Sequence, residues 1–226
     1  MTQQSTSQQS ISEQPISEQP SAEQAASELA QRRPGAFRVG FVTGATPDKW
    51  AAAWQRRRPG QPIQLVPITE DEQDLRLRDD SLDVAIVRLP VRHEDLHLIR
   101  LYEEQPVVVA ARDHVVAAYD EVPAADLAHE QFALPPPVGL EAVAEQLGFP
   151  PMTARDAVEV AASGTAVAIM PMSVARLYHR KDAIWRPVLD LEPTTVGLAW
   201  RRDRDTPDVQ EFVGIVRGRT ERSSRG

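Results

Sequence analysis

Five histidines, 33 carboxylates and no cysteine define what chemistry this chain can attempt. His93-Glu94-Asp95-Leu96-His97 spells H-E-x-x-H, the pattern in which two histidines on one helical face hold zinc beside a general base. That chemistry needs a stable helix. Pro90 stands just before the segment, and Leu96, Leu98 and Leu101 run at strand-like spacing into Tyr102. No third ligand pattern follows, so the stretch reads as a polar loop between extended segments, with no metal. His114, His129 and His179 sit in no Ser/His/Asp arrangement, and no glycine-rich loop cradles a phosphate. Thiolate zinc sites, iron–sulfur clusters and cysteine nucleophiles are excluded with the cysteines. Neither catalysis nor a cofactor is expected.

Two other places carry binding chemistry. Thr43-Gly44-Ala45-Thr46 follows the apolar run Phe37 to Val42 and precedes a helix opener, Pro47-Asp48, with Thr46 as its expected N-cap. Such a loop offers backbone N–H groups and two hydroxyls to a carboxylate or phosphate, or it is a plain capped turn. Arg88 stands directly after the apolar strand Val84 to Val87 and before Leu89-Pro90. From a strand end it could clamp an anion bidentately, or pair on the surface with a neighbouring acid. The Arg56-Arg57-Arg58 run reads as a solvated helix C-terminus.

These residues depend on alternating strands and helices, the mark of an α/β protein with largely parallel sheets. Expected strands are 37–42, 63–68, 84–87, 98–102, 106–111, 166–170, 184–189 and 195–200. Expected helices start at Thr46, at Glu70 (to Arg78), at Leu140 (to Leu147), at Thr153, at Pro171 and at Thr206-Pro207. In the last, Val209, Phe212, Val213 and Val216 keep the i, i+3, i+4, i+7 stripe. Phe132 to Leu134 runs into three prolines, Pro135 to Pro137, and Gly164 ends the Thr153 helix.

At 226 residues the chain has room for one large or two small domains. Its net charge of -8 disfavours tracking of nucleic-acid phosphates. The first residues lack the basic start and apolar stretch of a signal peptide, and nothing reaches transmembrane length, so a cytoplasmic protein without membrane contact is expected. Residues 1–36 are rich in Gln, Ser and Glu, repeat ISEQP, and hold almost no large apolar side chain before Phe37. They are expected to be disordered, because they bury too little to offset their ordering entropy.

Taken in order, FRVGFVTG, LDVAIVRLP, LYEEQPVVVAARDH, VEVAASGTAVAIMPMSVARL and LAWRRDRDTPDVQEFVGIVRGRT make residues 37–220 resemble the effector-binding (substrate-binding) domain of LysR-type transcriptional regulators. The closing piece is similar to an actinobacterial branch of that group. The resemblance implies an α/β, two-lobed type II periplasmic-binding-protein fold, with mainly parallel sheets flanked by helices. Lobe I would be 37–110 plus 191–226, and lobe II 111–190. It also implies a small-molecule effector, an anion being favoured, in the crevice between lobes. Thr43, Gly44, Ala45, Thr46, Arg88, Leu89 and Pro90 would face it from lobe I, and Pro135, Pro136, Thr153, Met170 and Pro171 from lobe II.

Against the family pattern, no winged helix-turn-helix precedes the first strand, so sequence-specific DNA binding is not expected. The stretch from Pro135 to Asp156 is also shorter than the resemblance leads one to expect within the second lobe. The expectation is a ligand-sensing regulator acting as a homodimer or with a partner regulator. The alternative is a ligand-free interaction module. An enzyme on this fold fits less well, since porphobilinogen deaminase, which shares the architecture, needs a cysteine; an exported solute-binding protein, a different rival, would need a signal peptide. Deleting residues 1–36 should leave the melting temperature within a few degrees in a thermal unfolding scan; a larger drop would mean the tail docks.

Overall fold

Buried β-branched and aromatic runs build two sheets in the computed structural model, which describes residues 35–92 and 94–218. The expectations for residues 1–34, for His93 and for the chain beyond 218 lie outside these residues. In chain order the elements are β1 (Phe37–Val42), α1 (Asp48–Arg57), β2 (Ile63–Ile68), α2 (Gln73–Arg78), β3 (Val84–Arg88), β4 (Leu96–Glu104), β5 (Pro106–Ala111), β6 (Val122–Pro123), α3 (Ala154–Ala162), β7 (Ala168–Pro171), α4 (Met172–Leu177), β8 (Ala183–Leu189), β9 (Thr194–Arg201) and α5 (Pro207–Val216).

The first sheet has the order β2-β1-β3-β9-β4, and the second β6-β8-β5-β7. The α/β two-sheet class stands, but the sheets are mixed rather than mainly parallel. β1 pairs in parallel with β2 and β3, and β6 with β8, whereas β9 runs antiparallel to β3 and β4, and β5 to β7 and β8. The reason is the path of the chain. It leaves the first sheet at Gln105 and re-enters as β9 from the opposite direction.

One aromatic cluster ties the first layer together. Phe37 stacks on Trp54 of α1 at 4.4 Å, and Phe212 of α5 meets both rings at 5.4 and 6.1 Å. The buried Trp54 indole donates to the Gln61 carbonyl, so its polar edge is satisfied. In the second sheet every residue of β5 is buried, and α3 covers it with Ala157, Val158 and Ala161. Thr153 and Asp156 form a reciprocal capping box at the start of α3. Gly164, at φ +78°, closes its end as expected.

Three local expectations are corrected. Pro47 opens α1 with helical φ and ψ, its carbonyl accepting from Trp50 and Ala51, while the exposed Thr46 side chain makes no capping bond. The helix expected from Glu70 begins at Gln73, because Thr69 and Glu72 exchange capping bonds and leave Glu70 in a turn. Leu140 to Leu147 is not helical. Its backbone lies beside residues 128–132, and two glutamines supply the bonds. The Gln146 side chain accepts from the Phe132 amide and donates to the Glu130 and Ala144 carbonyls; that of Gln131 accepts from the Leu147 amide and donates to the Glu145 carbonyl. A helix here would offer Val143 and Leu147 for burial, and both stand exposed. Gln146→Ala should therefore cost about 1–2 kcal/mol in urea unfolding, since it strands a backbone amide and two carbonyls at once. An unchanged midpoint would show that water replaces the glutamine without loss.

Candidate functional site

Arg88 ends β3, and its guanidinium is only 3% exposed. The side chain extends past β9 toward the end of β4. In the strand register Arg88 faces Val196, which faces Tyr102, so Tyr102 and Glu104 share the Arg88 face of the sheet. Nη2 donates to Glu104 at 2.7 Å, Nη1 to Glu70 at 2.5 Å, and both to the Thr43 carbonyl at 3.3 Å. Nε is buried without a partner among the described residues. The main chain of Arg88 is held as firmly, because the buried Gln73 amide donates to its carbonyl and accepts from its N–H. Burial raises the Tyr102 pKa, Glu104 raises it further, and Arg88 opposes the rise.

Arg88 and the Thr43 loop thus meet, as strand-end geometry requires, and two carboxylates and a carbonyl already engage the guanidinium. Glu104 is 8% exposed and Glu70 50%, so the first pair is internal and the second reaches solvent.

From the second sheet, the first turn of α4 reaches the same place. Gly44 takes φ +89°, and a Cβ on it would lie 2.3 Å from Ser173 Oγ and 3.1 Å from the Val174 side chain. Only glycine permits both the conformation and the approach. Ser173 Oγ is itself buried without a hydrogen bond among the described residues. Two unsatisfied buried atoms, Arg88 Nε and Ser173 Oγ, therefore accompany the loop that both elements touch.

The other expected residues are placed differently. Ala45 is buried in the first core, and Leu89 and Pro90 line a hollow with residues of β4 and β9. Met170 is buried in the second core, and Pro171 is the residue that leads into α4. Pro135 and Pro136 line an apolar hollow of about 420 Å³ whose other walls come from 132–134 and 146–152, with no residue of the first sheet. The Thr153 hydroxyl is engaged with Asp156. Leu96 and His97 belong to β4, where the His97 ring lies 5.3 Å from Trp200, so the H-E-x-x-H segment enters a strand.

Comparison with known proteins agrees with this architecture, and a model of the LysR substrate binding domain matches residues 30–221. The chain belongs to the LysR substrate-binding domain family. Among relatives of this domain, the Hca operon transcriptional activator HcaR of Escherichia coli is 26% identical over 198 residues, spanning 80% of this chain and 67% of that protein. The HTH-type transcriptional regulator AlsR of Bacillus subtilis is 24% identical over 208 residues, spanning 83% and 68%. The chain thus spans about two thirds of the length of these two transcriptional regulators. In fold, the BenM effector binding domain with its effector benzoate superposes with a TM-score of 0.67 at 19% identity, over 82% of this chain and 95% of that one. The oxidised form of OxyR superposes with a TM-score of 0.65 at 21% identity, over the same shares.

Glu70, Gln73, Glu104 and Ser173 were not among the expected site residues of this LysR domain. A signal existed for one: Glu104, just before Gln105-Pro106 in an apolar stretch, is an acid whose burial demands a cation. The buried pair also changes what an alanine scan should show. Arg88→Ala should lower stability by about 3–5 kcal/mol in chemical denaturation, because it abandons Glu104 in the interior. Glu70→Ala should cost less than about 1 kcal/mol. Equal effects would mean that Arg88 leans on Glu70 and that the interior pair is not the anchor.

Proposed function

We propose that this chain senses a small carboxylate-bearing effector where the Thr43–Ala45 loop meets Ser173, and reports it as a change in lobe arrangement. The lobes in this reading correspond to the two sheets, with the change of lobe at Gln105 rather than after residue 110. The supporting observation is the pair of buried, unpartnered groups on opposite sides of that contact, Arg88 Nε and Ser173 Oγ. Both can donate to an oxygen acceptor.

The charge balance favours a specific course of binding. Arg88 contributes one positive charge against the carboxylates of Glu70 and Glu104, leaving the cluster one charge negative as it stands. An anionic effector gains a net attraction only by displacing one of them. Glu70 is the one that can leave, being half exposed and held in a turn rather than in a strand. The effector carboxylate then takes its place at the Arg88 guanidinium, where Nε is still without a partner among the described residues, with Ser173 donating from the other lobe. Binding and lobe closure are linked because Arg88 ends a strand of the first sheet while Ser173 belongs to α4, which follows β7 of the second.

In this proposal the chain is a cytoplasmic, non-enzymatic sensor that acts through a second copy of itself or a partner regulator rather than by reading DNA bases, and its membership of the LysR substrate-binding domain family supports the regulatory part. The exposed Val138, Val143 and Leu147 favour a role for segment 135–152 in such contacts.

Calorimetric titration with a panel of small mono- and dicarboxylates tests the site. Ser173→Ala removes an unsatisfied hydroxyl, so it should leave stability unchanged or slightly higher while weakening the best carboxylate roughly tenfold or more. Glu70→Gln should tighten the same carboxylate by removing its competitor. If neither variant alters affinity, or if no carboxylate binds, the crevice is not the effector site.

A further inference from the structure

The face of the first sheet opposite Arg88 holds a second arrangement. A hollow of about 500 Å³ is lined by Leu89, Pro90, Val91, Leu98, Arg100 and Pro193 to Thr195. A β-bulge makes it. Between Arg100 and Tyr102 the β4–β9 register slips by one residue, so Arg100 faces Gly197 while Tyr102 and Glu104 face Val196 and Thr194. Without the slip Arg100 would share the face of Tyr102; with it, Arg100 lies on the other side of the sheet. Gly197, opposite Arg100, leaves no room for a side chain: a Cβ there would lie 3.0 Å from both the Ile99 carbonyl oxygen and Leu98 Cδ1.

The Arg100 guanidinium is exposed and makes no ion pair or hydrogen bond among the described residues. In a chain of net charge -8 that is unusual. The arginines around it are spent: Arg88 on Glu70 and Glu104, Arg92 on Asp74, and Arg201 on Asp80 and Asp203. Glu103, which pairs in register with Thr195, neither lines the hollow nor bridges to Arg100. The walls are otherwise leucine, valine and two prolines, with Thr194 and Thr195 lining it too; of these, Thr195 shares the Arg100 face of β9.

We propose that this hollow is a second small-molecule site, distinct from the crevice, that takes an apolar carboxylate of aromatic-ring size. Its volume lies in the range of small-ligand pockets, its walls bury a ring against Pro90, Pro193 and Leu98, and its one cation is free to form a forked pair with the carboxylate. No acid among the lining residues has to be displaced first, in contrast to the crevice.

The test is an NMR titration of the isotopically labelled chain with 2-naphthoate and with its neutral counterpart 2-naphthamide. Naphthoate should shift the amides of Leu89, Leu98, Arg100, Thr194 and Thr195. Arg100→Gln should weaken naphthoate roughly tenfold without changing the melting temperature, and leave the weaker naphthamide binding untouched. Thr195→Val, which keeps the shape and removes a hydroxyl, should weaken naphthoate less. Shifts confined to Thr43–Ala45 and Ser173, equal naphthoate affinity in Arg100→Gln, or no binding at millimolar ligand would each overturn the proposal. Because the two sets of amides share no residue, failure here and failure of the crevice reading are read separately.

Discussion

The contact between Arg88 and Glu104 joins the ends of two strands that are not neighbours. β9 lies between them, so the guanidinium must cross a whole strand to reach its carboxylate. Both groups give up water, and a buried pair recovers that cost only when its remaining hydrogen-bonding capacity is met. The neighbouring structure supplies much of what is needed. Gln73 fixes the Arg88 backbone from α2, the Thr43 carbonyl accepts from both Nη atoms, and Glu70 closes the outer side. The first loop, the second helix and the crossing strand are thereby located relative to one charge. Only Nε is left without a partner among the described residues.

The two faces of this sheet handle charge in opposite ways. On one, a cation is enclosed by acids and reachable only through competition. On the other, a cation stands free above an apolar floor. A single inserted residue in β4 separates them, since the bulge reverses the face that follows it. One strand therefore presents Arg100 and Tyr102, two residues apart, to opposite faces, and the two arginines stay on different sides of the sheet.

Local signals carried most of the fold into the sequence. The stripe of α5, the Thr153–Asp156 box and Gly164 each act within one turn of chain, and each was legible. What escaped depended on distant partners. Glu104 looks like one of two surface acids until the order of the first sheet sets Arg88 within reach. The direction of β9, and with it the mixed character of the sheets, follows from a return through the second sheet that no window of residues encodes. Leu140 to Leu147 has helical composition, yet Gln131 and Gln146 replace the helix with side-chain bonds to a neighbouring segment. At the site, the Thr43 loop and Arg88 were legible as neighbours because strand ends collect at one edge, whereas the occupancy of Arg88 was not. Ser173 was legible only as the start of a helix.

Gln105 has a mechanical consequence. A single residue separates β4 from β5; its side chain donates to the Val188 carbonyl and its own carbonyl accepts from Met172, so it is fastened to β8 and α4 together. Such a joint resists sliding and leaves rotation as the easy motion. Ser173 follows Met172 directly and lies close to the pivot, where travel is smallest. A slight tilt there would be geared up with distance, so the β6 edge of the second sheet would sweep a longer arc than the contact that starts it.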